Sequence, residues 1–413
     1  MACDLVKAAI PATSLPPELL GRIFEEHIQL CKDDWDHEAS PEPQPPSCYS
    51  QIGPYTWIRA THVCRYWRDV ALANPLLWSH IVLANRPDCI ETLLERSQQV
   101  PLSVQSYTSP CAADACLAPA RSLRLVLAHL PRIRTLTLAI KWWVFLDIAD
   151  TLHAPAPALA RLTLATPSGL PDAAYMQPEL RAPAGPLRHL ALRAFAFPWA
   201  APAPFRGLHT LRVARAPAHR PDAPQVLAAL AHMPALRALA LDDVFYPSPP
   251  GAPLPHPPPH HARVRLPRLA ALALAGDALA CAALLQGLSI PATARLALGY
   301  HRTTAPADLA RALAGARAAF TREADADTHQ AGLEESRVAP REIAVGGLRC
   351  RVERCPTAYA CYLWRAPRDA GGQAGAGAFD DADLVVRIPH HPAHREVLLR
   401  ELPVRVVGGG EGA

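Results

Sequence analysis

Lysine occurs only at Lys7, Lys32 and Lys141, and asparagine only at Asn74 and Asn85. The basic residues are therefore almost all arginine. With alanine and proline abundant, this is the imprint of a GC-rich coding sequence rather than of a selected arginine function. A basic stripe is missing as well: 41 Lys and Arg face 37 Asp and Glu interspersed along the chain. A nucleic-acid-binding reading thus has no electrostatic footprint. No stretch reaches the roughly 18 uninterrupted apolar residues of a membrane helix, and Asp4, Lys7 and Pro11 interrupt any apolar signal region. The 11 cysteines form no dense framework, which suits reduced thiols rather than a disulfide-stapled secreted fold. The expectation is a cytoplasmic or nuclear protein that binds neither nucleic acid nor membrane.

Catalytic signatures are absent too. No HExxH, GxSxG or GxxxxGK occurs, and the glycine run at 371–377 lacks the preceding strand and following helix of a phosphate cradle. Cys350, Cys355 and Cys361, with His390, His391 and His394, do not have finger or ribbon spacing, so no metal or cofactor is expected. Cys64 reads as a packed thiol on the apolar face of a helix. Asp242 and Asp243 read as turn caps rather than as an acid–base pair. No residue set supports an enzyme.

Two things are present. The first is a short N-terminal module. "LPPELLGRIFEEHI" places Leu15, Leu19, Leu20, Ile23, Phe24 and Ile28 at helical spacing. Pro16 and Pro17 suit the first turn, Glu18 suits the positive end of the macrodipole, and Ser14 is a candidate cap. The acidic, proline-rich stretch after this helix predicts a stop near Cys31. A second helical pattern runs from about Tyr55 to Leu72 and ends at Asn74 and Pro75; "PLLWSHIVL" adds an apolar run around Trp78. Trp57, Trp67 and Trp78 amount to more large apolar surface than so small a module can bury alone. Either the rest of the chain covers it, or a partner does.

The second is a recurring phrase: "IRTLTLAI", "LARLTLAT", "LRHLALRA", "LHTLRVAR", "LRALALDD", "LAALALAG" and "TARLALGY". The last apolar residues, Leu138, Leu164, Leu192, Val213, Leu241, Leu274 and Leu298, are 21 to 33 residues apart. Leu-x-x-Leu-x-Leu at that step is the signature of leucine-rich repeats. Each strand sends two leucines into a core that only its neighbours complete. Helical candidates such as "SLRLVLAHL", "APQVLAALAHM" and "DALACAALLQGL" lie between the phrases. "HIVLA", "CIETLLERSQQ" and "PLSVQSY" start the same rhythm earlier, and "DLVVRIP" resumes it late. The outward positions of the early strands are polar and basic. Arg161, His189, Arg193 and Arg212 are accordingly candidate contacts for an acidic or phosphorylated substrate segment.

"LPPELLGRIF" followed by "VCRYWRDVALANPLLW" resembles the F-box, in particular the F-box-like variety with C-terminal leucine-rich repeats that abounds in mushroom-forming basidiomycete fungi. The resemblance is carried by Leu15, Pro16, Leu19, Ile23, Phe24, Val63, Cys64, Trp67, Leu77 and Trp78. It implies that these residues, some of them as internal core, form the module that docks a Skp-family adaptor and, through it, a cullin and RING ligase. The chain would then be the non-catalytic substrate-recognition subunit of an SCF-type ubiquitin ligase, its repeats holding a protein substrate. A non-ligase interaction scaffold and a small-molecule-binding repeat receptor are the alternatives.

The expected architecture is α/β: a small helical F-box-like module followed by a leucine-rich-repeat solenoid, a right-handed α/β horseshoe. Its divisions are a tail over 1–14, the module over 15–83 with an insertion at 31–54, repeats over 84–321, an irregular or loop-rich segment over 322–382, and candidate last repeats with a flexible tail over 383–413.

Overall fold

A computed structural model describes residues 15–38, 55–83, 87–106, 120–140, 142–152, 154–166, 186–215, 220–249, 262–291, 293–300, 307–314, 348–354, 358–365 and 384–389. Ser14, much of the 31–54 insertion, the glycine run and the stretch after Pro389 lie outside them. The chain forms two compact units, one built mainly on residues up to Leu170 and one on residues from Leu187 onward.

The first unit opens with α1 (Pro17–Glu38), a 3-10 turn (Thr56–His62), α2 (Arg65–Ala73) and a second 3-10 turn (Pro75–Trp78). It continues with β1 (His80–Leu83), α3 (Pro87–Arg96), β2 (Leu102–Ser106), α4 (Ala120–Leu127), β3 (Ile133–Ala139), α5 (Trp142–Leu152) and β4 (Arg161–Ala165). β1, β2, β3 and β4 pair in parallel in chain order. The intervening helices supply the crossovers that parallel neighbours require.

Two helix boundaries differ from the sequence reading. α1 runs to Glu38 rather than stopping near Cys31. Charge alone does not end a helix, because Asp, Glu and Lys cost only fractions of a kcal/mol in its interior; the first residue that cannot continue it is Pro41. The second helical pattern is broken in two. Val63 closes the 3-10 turn, and Cys64 takes an extended backbone (φ −156°, ψ 171°) to open α2. The break lets Trp57 and Trp67 serve different packing sites.

The second unit holds β5 (His189–Arg193), β6 (Thr210–Ala214), α6 (Ala223–Leu230), β7 (Ala238–Asp242), β8 (Val264–Arg265), β9 (Ala271–Gly276), α7 (Ala278–Gly287), β10 (Leu288–Ser289) and β11 (Arg295–Tyr300). β5, β6, β7, β9 and β11 form a parallel ladder in which Leu190, Leu211, Leu239, Leu272 and Leu296 stand in one row. Leu192, Val213, Leu241, Leu274 and Leu298 form the next row, and every member of both is buried. Alternation along each strand puts the intervening residues on the other face.

The turns leaving these strands repeat as well. Ala194, Arg215 and Asp243, each two residues past the last buried strand residue, have φ of 59°, 51° and 50°. Their amides donate to the carbonyls of Ala214, Asp242 and Ala275 on the next strand, at 2.8, 2.7 and 2.8 Å. Gly276, the last residue of β9 and two past Leu274, has φ 131°. Three non-glycine residues accept a left-handed backbone there, which costs on the order of 1–2 kcal/mol each. What they gain is a hydrogen bond that ties one strand end to the next.

Helices are fixed by polar caps. Asp222 and Gln225 form a reciprocal capping box at α6. The Asp277 carboxylate accepts from the Ala280 amide at α7 and from both the amide and hydroxyl of Ser248. α7 is buried almost all round, and a side chain at Gly287 would overlap Leu227 of α6. On α7, Cys281 lies in the interior, and burial, reinforced by Asp277 and Asp242, pushes its thiol up to about 12. It is a packed thiol with no reactive character.

The segment 322–382, expected to be irregular or loop-rich, contains β12 (Leu348–Arg354) and β13 (Ala358–Arg365), an antiparallel pair. β14 (Leu384–Pro389) pairs antiparallel with β13 and parallel with β11. The sheet of this unit therefore ends on an antiparallel hairpin rather than on a further parallel strand.

Candidate partner-docking site

The N-terminal module is assembled from residues that would be hard to interchange. Pro16 starts α1, its carbonyl accepting from Leu19 and Leu20 at 3.1 and 3.0 Å. The Tyr66 hydroxyl of α2 donates to the Leu15 carbonyl at 2.6 Å and fixes where α1 begins. Leu20, Phe24 and Ile28, four apart, make the buried stripe of α1. Phe24 meets the Trp67 ring edge-on at 5.4 Å, inside the preferred range for aromatic pairs. Cys64 caps α2, its sulfur accepting from the Trp67 amide at 3.4 Å. This half-exposed cap corrects the expectation of a thiol packed on the apolar face.

Asn74, one of only two asparagines, ends α2. Its Oδ1 accepts from the Leu76 amide at 3.1 Å and its Nδ2 donates to Glu25 of α1 at 3.3 Å. Gly21 sits opposite, where an added Cβ would lie 3.3 Å from that Nδ2. The approach of α1 to the end of α2 depends on both residues.

The module is continuous with the strands of the first unit. The Trp78 indole donates to the Ala71 carbonyl at 2.9 Å, its ring packs edge-on against Trp57 at 5.1 Å, and the Arg96 guanidinium of α3 lies 4.4 Å over its face. The Tyr55 hydroxyl accepts from the Val82 amide at 2.7 Å and donates to the Val82 carbonyl at 3.3 Å. Burial holds that phenol well above its ordinary range. Three of the ten residues expected to dock a partner, Phe24, Leu77 and Trp78, are only 2% exposed and belong to this interior. They are the share of that set expected to be internal core.

What remains at the surface is apolar. Seven large apolar side chains are exposed among the described residues, and five of them, Leu19, Ile23, Val63, Leu72 and Leu76, belong to this module at 41 to 60% exposure. Leu19 and Ile23 share one face of α1, four residues apart. Pro16 is exposed beside them, while Leu15, Cys64 and Trp67 are half-buried. Leu72 and Leu76 were not singled out from sequence, although their spacing around Pro75 carried the signal. A surface of this kind on an otherwise well-buried unit is what a protein interface requires.

Residues 12–84 match the family described as F-box-like. No curated protein matches the chain, and no solved structure does. An F-box-like domain points to SCF-type adaptor interactions. F-box domains generally bind Skp-family adaptors, and the exposed residues Leu19, Ile23, Val63, Leu72 and Leu76 all fall within the matched span.

The second expected site is spread over the two units. Arg161 is exposed on β4 of the first. In the second, His189 and Arg193 of β5 are half-buried and Arg212 of β6 is exposed. His189 Nδ1 meets the Thr210 hydroxyl at 3.1 Å. Arg193 shares its row across the sheet with Ala214 and Asp242. Its pKa is lowered by burial and by Arg215, against the opposite pull of Asp242. The row therefore mixes signs, with Arg193 on β5 and Asp242 on β7.

At the other end of these strands, Arg188 Nη1 lies 3.1 Å from His209 Nε2. The guanidinium can only donate, so the imidazole is the neutral acceptor there. Desolvation first, then Arg188, Arg237 and Arg268, lower the His209 pKa accordingly.

Among the described residues no group of three or more His, Cys, Asp or Glu could hold a metal, and no helix is long and apolar enough to cross a membrane. Cys350 lies on β12 opposite Leu363, and Cys361 on β13 opposite Val352. Cys355, His390, His391 and His394 fall outside the described residues.

Proposed function

We propose that this chain is the substrate-recognition subunit of an SCF-type ubiquitin ligase, in which the N-terminal module docks a Skp-family adaptor and the strands behind it bind a protein substrate. The observation that carries the reading is the concentration of exposed apolar side chains, Leu19, Ile23, Val63, Leu72 and Leu76, on the span that matches the F-box-like family. In the cytoplasm or nucleus the adaptor would bring a cullin and RING ligase, and the chain would contribute no catalytic group. Its chemical contribution is proximity, which converts an encounter between a substrate lysine and charged ubiquitin into an effectively intramolecular step.

The repeats are leucine-rich repeats in this reading. Support comes from the two rows of buried strand residues and from the left-handed turn that recurs at Ala194, Arg215 and Asp243. The test is affinity purification of the tagged full chain from a fungal host. Adaptor and cullin recovered together is the expected result. Adaptor without cullin would favour an interaction scaffold outside the ligase pathway, and neither would remove the proposal.

A further inference from the structure

A cleft of about 610 Å³ opens on the second unit, within the size range of ligand sites. Its aromatic wall is built from the interior outward. Buried Phe205 packs on buried Phe197 at 5.0 Å, and Phe197 packs on half-exposed Trp199 at 4.6 Å. The same lining includes Tyr246, which is 54% exposed, one of only two large apolar side chains left in solvent outside the N-terminal module among the described residues. A ring backed by a buried ring that is itself packed on another, in a lining that also holds an exposed tyrosine, is a stacking platform rather than loose surface.

The polar groups of the lining decide what could stack there. Arg220 is the sole cationic guanidinium in it, and it is already neutralised: its two terminal nitrogens bind both oxygens of Asp243 at 2.7 and 3.0 Å, and one also donates to the Phe245 carbonyl at 2.9 Å. Such a fork is spent, so a phosphate or carboxylate gains little from it. The Gln225 oxygen accepts from the Asp222 amide at 3.2 Å, which leaves its NH2 to face the ligand as a donor. Trp199 offers a second donor in its indole N–H. His232 gives Nδ1–H to the Ala228 carbonyl at 2.9 Å and so presents Nε2 outward.

The cleft therefore offers aromatic faces and hydrogen-bond donors with little net charge. A polyproline II segment is the complement of that set: proline rings supply apolar faces, its carbonyls are unpaired acceptors, and proline has no N–H to satisfy. We propose that this cleft binds an uncharged, proline-rich peptide segment of a partner protein, with Trp199 and Tyr246 stacking its rings and Gln225 donating to its backbone. The inference deepens the reading of this unit as a substrate-binding region, yet it is tested without the adaptor, so either can fail alone.

The experiment is calorimetric titration of the full-length chain with blocked octaproline, with a blocked Gly/Ser octapeptide as control. Octaproline should bind with Kd below about 1 mM while the control does not. Tyr246→Ala and Trp199→Ala should each weaken it by about tenfold or more. Because Tyr246 is exposed, its variant should melt like the parent, which separates recognition from folding. No octaproline binding, equal binding of the Gly/Ser peptide, or unchanged affinity in a folded Tyr246→Ala protein would overturn the proposal. A version in which residues 250–261, themselves proline-rich, are replaced by a Gly/Ser linker should bind octaproline with the same affinity. A gain of about tenfold would instead make the chain's own segment the occupant and overturn the partner reading.

Discussion

The N-terminal module and the parallel strands of the second unit obey the same burial rule with opposite remainders. On β5, β6, β7, β9 and β11 every leucine of the recurring phrase is buried. In the module, Leu20, Phe24, Leu77 and Trp78 are buried, yet Leu19, Ile23, Val63, Leu72 and Leu76 are not. The strands complete one another, because each lends its neighbour the missing half of a core. Among the described residues the module has no equivalent neighbour for its second apolar face. The comparison teaches that an apolar residue's type does not reveal its role: on α1, Phe24 is structural and Ile23 is surface, one position apart.

Replacing members of the two classes sharpens that contrast. Phe24→Ala or Trp78→Ala should destabilise the first unit by about 3–5 kcal/mol, seen as an early transition in denaturant melts. Arg132 comes next. Its guanidinium donates to the Leu94 carbonyl, an acceptor that the end of α3 leaves open, and to the carbonyls of Gln98 and Val100 just beyond the helix. Arg132→Met should cost about 1.5–3 kcal/mol by chemical denaturation, since charged-donor bonds are lost and the methylene stem is kept. Asn74→Ala removes a cap and a tie to Glu25 and should cost roughly 1 kcal/mol on the same assay.

The smallest effect should come from pH. The folded pKa of His209 is below its ordinary 6.5, so above 6.5 its neutral form supports the fold in full. As pH falls through 6.5 toward the depressed value, the unfolded chain takes up the proton first and stability declines. The melting temperature should drop as pH falls through 6.5, and His209→Gln should flatten that part of the profile.

Much of this organisation is legible in the sequence. The strand phrases become β3, β4, β5, β6, β7, β9 and β11, and helices α5, α6 and α7 fall in gaps between them, because leucine spacing reports directly on burial. The failures have local physical causes. α1 overruns Cys31 because acidic residues are poor stop signals. The helix expected from Tyr55 to Leu72 breaks at Cys64, whose sulfur cap has no sequence signature. The left-handed positions at Ala194, Arg215 and Asp243 escape notice because none is glycine. The division of the docking residues needed three-dimensional packing: "IF" at 23–24 reads as one apolar pair, and only the angle of α1 against Trp67 separates them. Likewise the cleft gathers Trp199, Arg220, Gln225, His232 and Tyr246 from segments that no periodicity connects.

The measurement that bears most directly on the central claim is a titration of a fungal Skp-family adaptor with the full-length protein and its Leu19→Asp and Ile23→Asp variants, each checked by thermal melting. Micromolar or tighter binding by the parent is predicted, with a loss of at least about tenfold in both variants at unchanged melting temperature. Absence of binding by the folded parent, or full affinity in variants that carry a carboxylate on the exposed face of α1, would contradict the account.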